Sequence, residues 1–278
     1  MLNSDLPHIA PMLQGLDELS IAANLDDLRR AEYASAACVV CQGIDRCALG
    51  TDGMKPNILR SEAMVVVTDA PCGFRRGRET MRVSLEKSNA GNRYGDCAFR
   101  NFERRAGTEK ALAAAMEVAE DEKGRGIILS GKPGVGKSHL AAAVRSRNAE
   151  RGVLTIMHDT VELMADFKSA SHTNPEEYER NLLSCITVPV LILDDFDKLG
   201  AGMRDGVLSR FVGEATYRLI NGRYKRKGQI VLTLNSQMGS VEARFGDDYG
   251  AAIVSRLLEM CRYVVVEAKD YRLNGVRP

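Results

Sequence analysis

The sequence predicts an α/β fold, a parallel sheet covered by helices on both faces, with a small metal-organised domain before it. Two observations carry this prediction. From about residue 96 onward, short apolar runs such as VPVLIL alternate with stretches of helical periodicity, which is typical of a parallel sheet buried on both faces. Residues 36–75 instead contain cysteines and glycines with little periodicity, as expected where a structural metal replaces a hydrophobic core.

The composition suits a core-forming chain without membrane contact. Hydrophobic residues make up 45% of 278 positions, and the net charge of +1 argues against a protein that coats nucleic acid. Residues 1–35 carry six acidic and two basic side chains, whereas residues 73–105 carry nine basic and four acidic ones. This asymmetry predicts either a partner surface with phosphate contacts or two solvated faces. Without a signal-peptide pattern or a long apolar run, we expect a cytoplasmic protein.

These patterns divide the chain into three segments. Residues 1–75 form the amino-terminal domain, residues 76–95 a basic linker and residues 96–278 the α/β domain. Leucines at three- or four-residue steps predict an amphipathic helix over residues 12–33. Such a helix either docks on another protein or packs on its own domain.

A phosphate-binding loop is the strongest motif. GKPGVGKS (131–138) matches G-x-x-x-x-G-K-[ST] between the predicted strand GIILS and the predicted helix KSHLAAAVRSRNAE. Its glycines allow backbone N–H groups to converge on phosphate oxygens. Lys137 is predicted to bind the β- and γ-phosphates and Ser138 to bind magnesium. The residues predicted to contact ATP or ADP are Gly131, Pro133, Gly134, Val135, Gly136, Lys137, Ser138 and His139.

Two later strands end in polar residues that suit ATP hydrolysis. VLILDD ends in Asp194, predicted to hold Mg²⁺ through water, and Asp195, predicted to orient and polarise the attacking water. Many ATPases with such a phosphate loop have glutamate at the position of Asp195. Because aspartate is one methylene shorter, we expect slow hydrolysis. Asn235 ends the strand IVLTLN, where its amide would position the water against the γ-phosphate.

Four cysteines have the spacing of a zinc site. Cys38, Cys41, Cys47 and Cys72 form a C-x2-C-x5-C-x24-C pattern, and no histidine lies between the first and the last. Structural Zn²⁺ takes four tetrahedral ligands, and cytosolic thiols favour metal binding over disulfides. Cys97 is the alternative fourth ligand. Unligated buried thiols and a redox pair are the competing interpretations.

Two arginines follow the Asn235 strand. Arg256 lies in the predicted helix AAIVSRLLEMC, and Arg272 follows the last predicted strand. Phosphoryl transfer gains from a guanidinium placed on the developing charge. The alternative is that both are solvated surface side chains.

The ordered segments FRNF, GKPGVGKSHLA, LILDDFDKLG, NGRYKRKGQIVLTLNS and SRLLEMCRYVVVEAKDYR resemble the AAA+ ATPases of the DnaC/DnaI/IstB group. The resemblance implies a magnesium-dependent ATPase that self-associates in a ring or spiral and has no separate lid domain. It also implies that Arg256 is an arginine finger acting in trans and that Arg272 is a sensor acting in cis. Phe99 and Phe102 are similar to the stretch that leads into the adenine pocket.

Members of this group are bacterial helicase loaders or transposase helpers. CVVCQGIDRC, followed by GMKP and by Cys72, resembles the zinc-binding domain of DnaI-type loaders. The resemblance therefore implies a domain that contacts the hexameric replicative helicase, and ATP-dependent loading of that helicase onto single-stranded DNA in replication initiation. A transposase helper, or a nucleotide-switched adaptor with negligible hydrolysis, is the alternative.

Candidate contacts to single-stranded DNA lie in the α/β domain. Phe167 and Lys168, and the basic segment Arg223–Lys227, suit base stacking and phosphate contact. The alternative for Phe167 is core packing on its helix face.

Overall fold

The computed structural model describes residues 5–41, 47–61, 64–90, 94–199 and 209–273. The chain forms two compact units, Met1–Glu79 and Thr80–Pro278. Each unit has its own buried apolar cluster among the described residues. Within these residues, no helix combines the length and the apolar character needed to cross a bilayer.

Among its described residues, the amino-terminal unit contains three helices followed by a hairpin. These are α1 (Ala10–Leu13), α2 (Glu18–Ala23), α3 (Leu25–Val39), β1 (Met54–Arg60) and the antiparallel β2 (Val65–Pro71). The predicted continuous helix over 12–33 is wrong. Gly15 adopts a φ of +79°, which interrupts the first helix, and Asp17 caps α2 by accepting from the Ser20 N–H at 2.7 Å. The broken path buries Leu13, Ile21 and Leu28 in one cluster.

The larger unit is built on a five-stranded parallel sheet, which confirms the predicted α/β fold. The strand order is β4-β5-β6-β3-β7, and every neighbouring pair is parallel. The strands are β3 (Gly126–Ser130), β4 (Thr155–Asp159), β5 (Val190–Asp194), β6 (Gln229–Leu234) and β7 (Cys261–Val265). Because they are parallel, the carboxyl ends of β3, β5 and β6 meet at the middle of one sheet edge.

In the described part of this unit, six helices cover the two faces of the sheet. They are α5 (Glu109–Glu120), α6 (Lys137–Glu150), α7 (Thr160–Thr173), α8 (Pro175–Thr187), α9 (Arg210–Arg226) and α10 (Met238–Met260). Val190 and Ile192 point into the core with α5 and α6, whereas Leu191 and Leu193 point into the core with the other four helices. Because successive side chains point to opposite faces of the sheet and both faces are buried, the strand sequence is a continuous apolar run. Gly246, with a φ of +66°, kinks α10.

A helix, α4 (Gly73–Glu86), begins before the expected linker and occupies its first half. From Ser84 near the end of this helix to Asn89 beyond it, polar side chains satisfy backbone groups of edge strand β4. The pairs are Ser84 with the Thr155 carbonyl, Ser88 with the Met157 N–H (3.0 Å) and Asn89 with the Asp159 N–H (2.7 Å). An edge strand needs such partners, so this part of 76–95 completes the sheet edge. Residues 91–93 lie outside the described residues.

Candidate nucleotide-binding site

The phosphate loop, residues 131–138, joins β3 to α6. Two of its glycines are required by backbone shape and by close neighbours. Gly134 has a φ of +76°, and a Cβ there would lie 1.7 Å from the Asp270 carboxylate. Gly136, the N-cap of α6, has a φ of +103°, and a Cβ there would lie 2.9 Å from the Phe102 ring. Side chains at either position would displace the walls of the site.

The Lys137 ammonium is buried at the centre of the site, with 5% of the residue exposed. Its Nζ donates to the carbonyls of Gly131 (2.8 Å) and Lys132 (2.9 Å) and to Asn235 Oδ1 (3.0 Å). Burial lowers the pKa of Lys137, and neighbouring carboxylates oppose that shift. A partly desolvated cation held at this edge attracts an anion more strongly than a solvated one does.

Asp194 is the buried carboxylate of the site. Its Oδ1 accepts from the hydroxyls of Ser138 (2.8 Å) and Thr233 (2.5 Å), and its backbone carbonyl accepts from the Thr160 hydroxyl (2.7 Å). Burial raises the pKa of Asp194, while the two hydroxyl hydrogen bonds oppose that shift. A hydroxyl beside a carboxylate is a donor set suited to Mg²⁺, so these residues fit the ion that the sequence predicts.

Asp195 adopts a left-handed backbone with a φ of +53°, which is uncommon for a non-glycine residue. Its N–H donates to the Thr233 hydroxyl at 2.8 Å, which fixes this turn. Asp195 Oδ1 accepts from Asn235 Nδ2 at 2.9 Å, and Asp195 Oδ2 lies 2.5 Å from Lys198 Nζ. Both oxygens of the carboxylate are therefore engaged within the chain.

A cavity of about 370 Å³ lies above the phosphate loop. Among the predicted site residues, Pro133, Gly134, Gly136, Lys137, Ser138, His139, Asp195, Asn235 and Arg272 line it. Gly131 contributes a carbonyl to Lys137, and Val135 and Asp194 are buried. Six further residues line the cavity but were not predicted from the sequence: Tyr94, Asn101, Glu103, Arg105, Lys198 and Tyr271.

Aromatic residues form one wall of the cavity. Phe102 is buried and meets the His139 ring edge-on at a centroid distance of 5.2 Å. His139 Nε2 lies 3.2 Å from the Ala98 carbonyl and therefore donates to it. Phe99 lies outside the lining and packs, partly buried, against the core that contains Phe102.

The segment after β7 folds back over the phosphate loop. Tyr271 N–H donates to the Gly134 carbonyl at 2.9 Å, and Arg272 N–H donates to Asp270 Oδ1 at 2.8 Å. The Arg105 guanidinium lies 5.1 Å from the centre of the Tyr271 ring, a cation–π distance. These contacts place Arg272 at the cavity of its own chain.

Arg256 does not line this cavity. It lies on α10, where its Nε donates to Asn221 Oδ1 at 3.1 Å. Its guanidinium lies 5.3 Å and 5.6 Å from the ring centres of Tyr217 and Tyr224. The two rings and the amide hold the guanidinium in one orientation, away from the cavity of its own chain.

The four predicted zinc ligands do not form a closed metal site. Among the described residues, no group of three or more His, Cys, Asp or Glu side chains is placed to hold a metal ion. Burial raises the pKa of the Cys38 thiol, the nearby Lys55 opposes that shift, and Cys41, Cys72 and Cys47 add smaller upward shifts. Backbone N–H groups lower the pKa of Cys47. The zinc assignment stays a prediction.

Cys97 has a different environment from these four thiols. It belongs to the Thr80–Pro278 unit, where it packs against the apolar core. Burial raises the pKa of its thiol, and the nearby Arg145 opposes that shift.

Two of the candidate DNA contacts are wrong, and the alternative for Phe167, core packing, is confirmed. Phe167 is 1% exposed and packs edge-on against Tyr178, so no base can stack on it. Arg223 is fully buried and donates to backbone carbonyls around the end of α8 and the start of β6. Of the remaining candidates, Tyr224 is half-buried, and Lys168, Lys225, Arg226 and Lys227 are exposed.

Comparison with known proteins places this site in context. A family model described as IstB-like ATP binding protein matches residues 73–277. A Pseudomonas aeruginosa protein named for insertion sequence IS21 and for ATP binding is 32% identical over 169 residues, 60% of each chain. The Escherichia coli replicative helicase loader DnaC is 28% identical over 118 residues, 41% of this chain and 48% of that protein. The chain thus spans about half to three-fifths of these curated relatives.

Solved structures share the fold. The crystal structure of the DnaC helicase loader superposes with a TM-score of 0.54 and 25% identity, covering 64% of this chain and 100% of that one. The DnaI crystal structure gives a TM-score of 0.51 and 24% identity, covering 69% of this chain and 92% of that one. The second likeness supports the fold alone.

Proposed function

Because the chain belongs to the family of IstB-like ATP binding proteins, we propose that it binds ATP with magnesium above the phosphate loop and hydrolyses it slowly. One observation carries this proposal: the Lys137 ammonium, the Ser138–Asp194 pair and the Asn235 amide meet at one cavity. Ser138 and Asp194 would hold Mg²⁺, which neutralises phosphate charge. Asp195 would orient the attacking water.

The two arginines have different roles in this proposal. Arg272 lines the cavity and would contact the phosphates of its own chain. Arg256 would complete the site of a neighbouring subunit, because its guanidinium is held in place away from its own cavity. Hydrolysis would therefore depend on self-association, as charge stabilisation by an arginine in trans requires.

Nucleotide titration and turnover test the ATPase proposal. Lys137→Ala should abolish ATP binding and turnover, because it removes the buried ammonium. Lys132→Ala is the matched control, since only its backbone carbonyl contacts Lys137 and its side chain is exposed. Asp195→Asn should keep ATP binding and lose turnover. A wild-type chain that binds no ATP refutes the proposal, whereas binding without turnover identifies the nucleotide-switched adaptor.

We further propose that the chain loads a hexameric replicative helicase onto single-stranded DNA, with the amino-terminal unit as the helicase contact. Two findings support this: the likeness to DnaC helicase loaders, and the cysteine-containing unit that precedes the matched region. A transposase helper is the second candidate, favoured by the 32% identity to the insertion-sequence protein.

A pull-down distinguishes the two functions. The full chain is immobilised with ATP and offered, separately, the replicative helicase and a transposase of the IS21 type from the same host. Retention of the helicase supports the loader. Retention of the transposase alone refutes the loader and supports the helper.

We propose that Cys38, Cys41, Cys47 and Cys72 bind one zinc ion. The C-x2-C-x5-C-x24-C spacing supports this set. Mass spectrometry of the native chain should find one zinc, lost in the double variant Cys38→Ser/Cys41→Ser and kept in Cys97→Ser. Loss in Cys97→Ser with retention in Cys72→Ser would identify Cys97 as the fourth ligand. Absence of zinc from the wild-type chain refutes the proposal.

We propose Lys168 and the exposed residues 225–227 as contacts to single-stranded DNA. Their charge and exposure support this. Replacing residues 225–227 by alanine should weaken DNA binding and make its salt dependence shallower, since fewer counterions are released. Unchanged affinity and salt slope would remove this surface from the proposal.

A further inference from the structure

An ion pair at the edge of the cavity has no role in the site described so far. Lys198 ends the short 3₁₀ turn Phe196–Lys198 directly after β5. Its Nζ lies 2.5 Å from Asp195 Oδ2, its side chain is 53% exposed, and it lines the same cavity as Lys137. A flexible, half-exposed ammonium can therefore change partners without unfolding its surroundings.

Lys198 and Lys137 are two ends of one hydrogen-bonded chain. Lys137 Nζ donates to Asn235 Oδ1 at 3.0 Å, and Asn235 Nδ2 donates to Asp195 Oδ1 at 2.9 Å. Lys198 binds the other oxygen of the same carboxylate. One amide and one carboxylate thus separate the two ammonium groups. An anion that Lys137 holds in the cavity lies next to Asp195 and close to Lys198.

The end of the cavity beside Asp195 carries negative charge. Asp195 is paired with Lys198, and Asp194 and Asp159 add further negative charge, all of which raises the pKa of Lys198. The cationic side chains that line the cavity, among the described residues, are Lys137, Lys198, Arg105 and Arg272, and Lys198 is the one that lies 2.5 Å from Asp195. A terminal phosphate beside Asp195 is repelled unless a cation neutralises one of the two groups.

We propose that Lys198 distinguishes ATP from ADP by moving its ammonium from Asp195 to the terminal phosphate. With ADP bound, no terminal phosphate competes, and Lys198 stays on the carboxylate. With ATP bound, the move releases one oxygen of Asp195 to accept a hydrogen bond from water. This inference rests on the proposed function, because it needs a nucleotide in this cavity.

Equilibrium titration tests the inference, with a non-hydrolysable ATP analogue and with ADP, both with Mg²⁺. Lys198→Ala should weaken binding of the ATP analogue about tenfold, the order expected for one charge-assisted contact, and leave ADP binding within about twofold. Lys198→Arg should keep the preference for the triphosphate. Lys110→Ala, which removes an exposed lysine outside the cavity, should change neither affinity. Equal changes for both nucleotides, or none, overturn the inference.

A second background separates phosphate contact from mere neutralisation of Asp195. In Asp195→Asn, the carboxylate charge is absent, so a lysine that only neutralises it has no further effect. We expect Lys198→Ala to weaken the ATP analogue about tenfold in this background too. No loss there overturns the inference. If the wild-type chain binds both nucleotides, the proposed ATP site stands even when the Lys198 variants refute the inference. If the wild-type chain binds neither nucleotide, the proposed ATP site and the inference are both refuted.

Discussion

Acidification should destabilise the Thr80–Pro278 unit through one buried imidazole, that of His158. This residue lies on β4 and is 8% exposed. Its Nδ1 accepts from the Asn89 N–H at 3.4 Å, so its Nε2 carries the hydrogen that faces Cys185 Sγ at 3.8 Å. No acidic side chain compensates a charge there among the contacts described for this ring. Burial lowers the pKa of His158 to about 4.

The sign follows from proton linkage. The unfolded chain protonates this imidazole near pH 6.5, whereas the folded chain resists protonation down to about pH 4. The contribution of the neutral His158 to the free energy of unfolding is therefore fully present above pH 6.5. It decreases as the pH falls from 6.5 to about 4. Moving from about pH 7.5 to about pH 5 should cost about 2 kcal/mol, and the full shift corresponds to about 3 kcal/mol.

Urea unfolding followed by circular dichroism at the two pH values measures this loss. We expect His158→Gln to be less stable than the wild type at neutral pH. Because this variant lacks the titrating imidazole, its unfolding free energy should change by about 2 kcal/mol less than that of the wild type between the two pH values. His172→Gln, which replaces an exposed histidine on α7, should keep the wild-type dependence. Equal pH dependence in wild type and His158→Gln refutes the argument.

Three further outcomes follow from the contacts around the site. Arg223→Lys should lower the free energy of unfolding by about 3 kcal/mol in urea titration, because one ammonium cannot replace the fork that serves several buried carbonyls. Asp270→Ala should reduce ATP turnover several-fold with unchanged unfolding, and Asp270→Asn should restore it, because Asp270 fixes the turn that carries Arg272. In a mixture of Arg256→Ala and Lys137→Ala chains, the intact phosphate loop of one chain can meet the intact Arg256 of its neighbour. The mixture should therefore show more ATP turnover than either variant alone. An absence of any gain would contradict the trans role of Arg256.

The parallel sheet and the phosphate loop were predictable because their signals are local. Consecutive apolar residues define β3 and β5, and the loop motif occupies eight adjacent positions between a strand and a helix. Lys198 and Asp270 were missed because their roles depend on contacts across the fold. Lys198 meets Asp195 only through a left-handed turn, and Asp270 meets Gly134 only when the chain folds back after β7.

The burial of Phe167 and Arg223 is indicated in the sequence by their helical spacing from apolar residues. Phe167 follows Leu163 and Met164 on α7, and all three are buried. Arg223 follows Leu219 and Ile220 at steps of four and three on α9, so it shares their inward face. The prediction of Arg223–Lys227 as one basic DNA-contacting segment does not take this period into account. The period separates the buried Arg223 from the exposed residues 225–227.

The amide of Asn235 makes the two halves of the site interdependent. Its oxygen accepts from Lys137 and its nitrogen donates to Asp195, so one side chain joins the cation that would hold phosphate to the carboxylate that would orient water. An amide rotation that improves one contact breaks the other, since each end offers only one kind of group. A phosphate that draws Lys137 away from Asn235 removes the contact that fixes the amide oxygen, so the amide can then rotate away from Asp195. The position of Asn235 at the end of β6 suggests a phosphate sensor, and this double contact is the physical means by which it would sense.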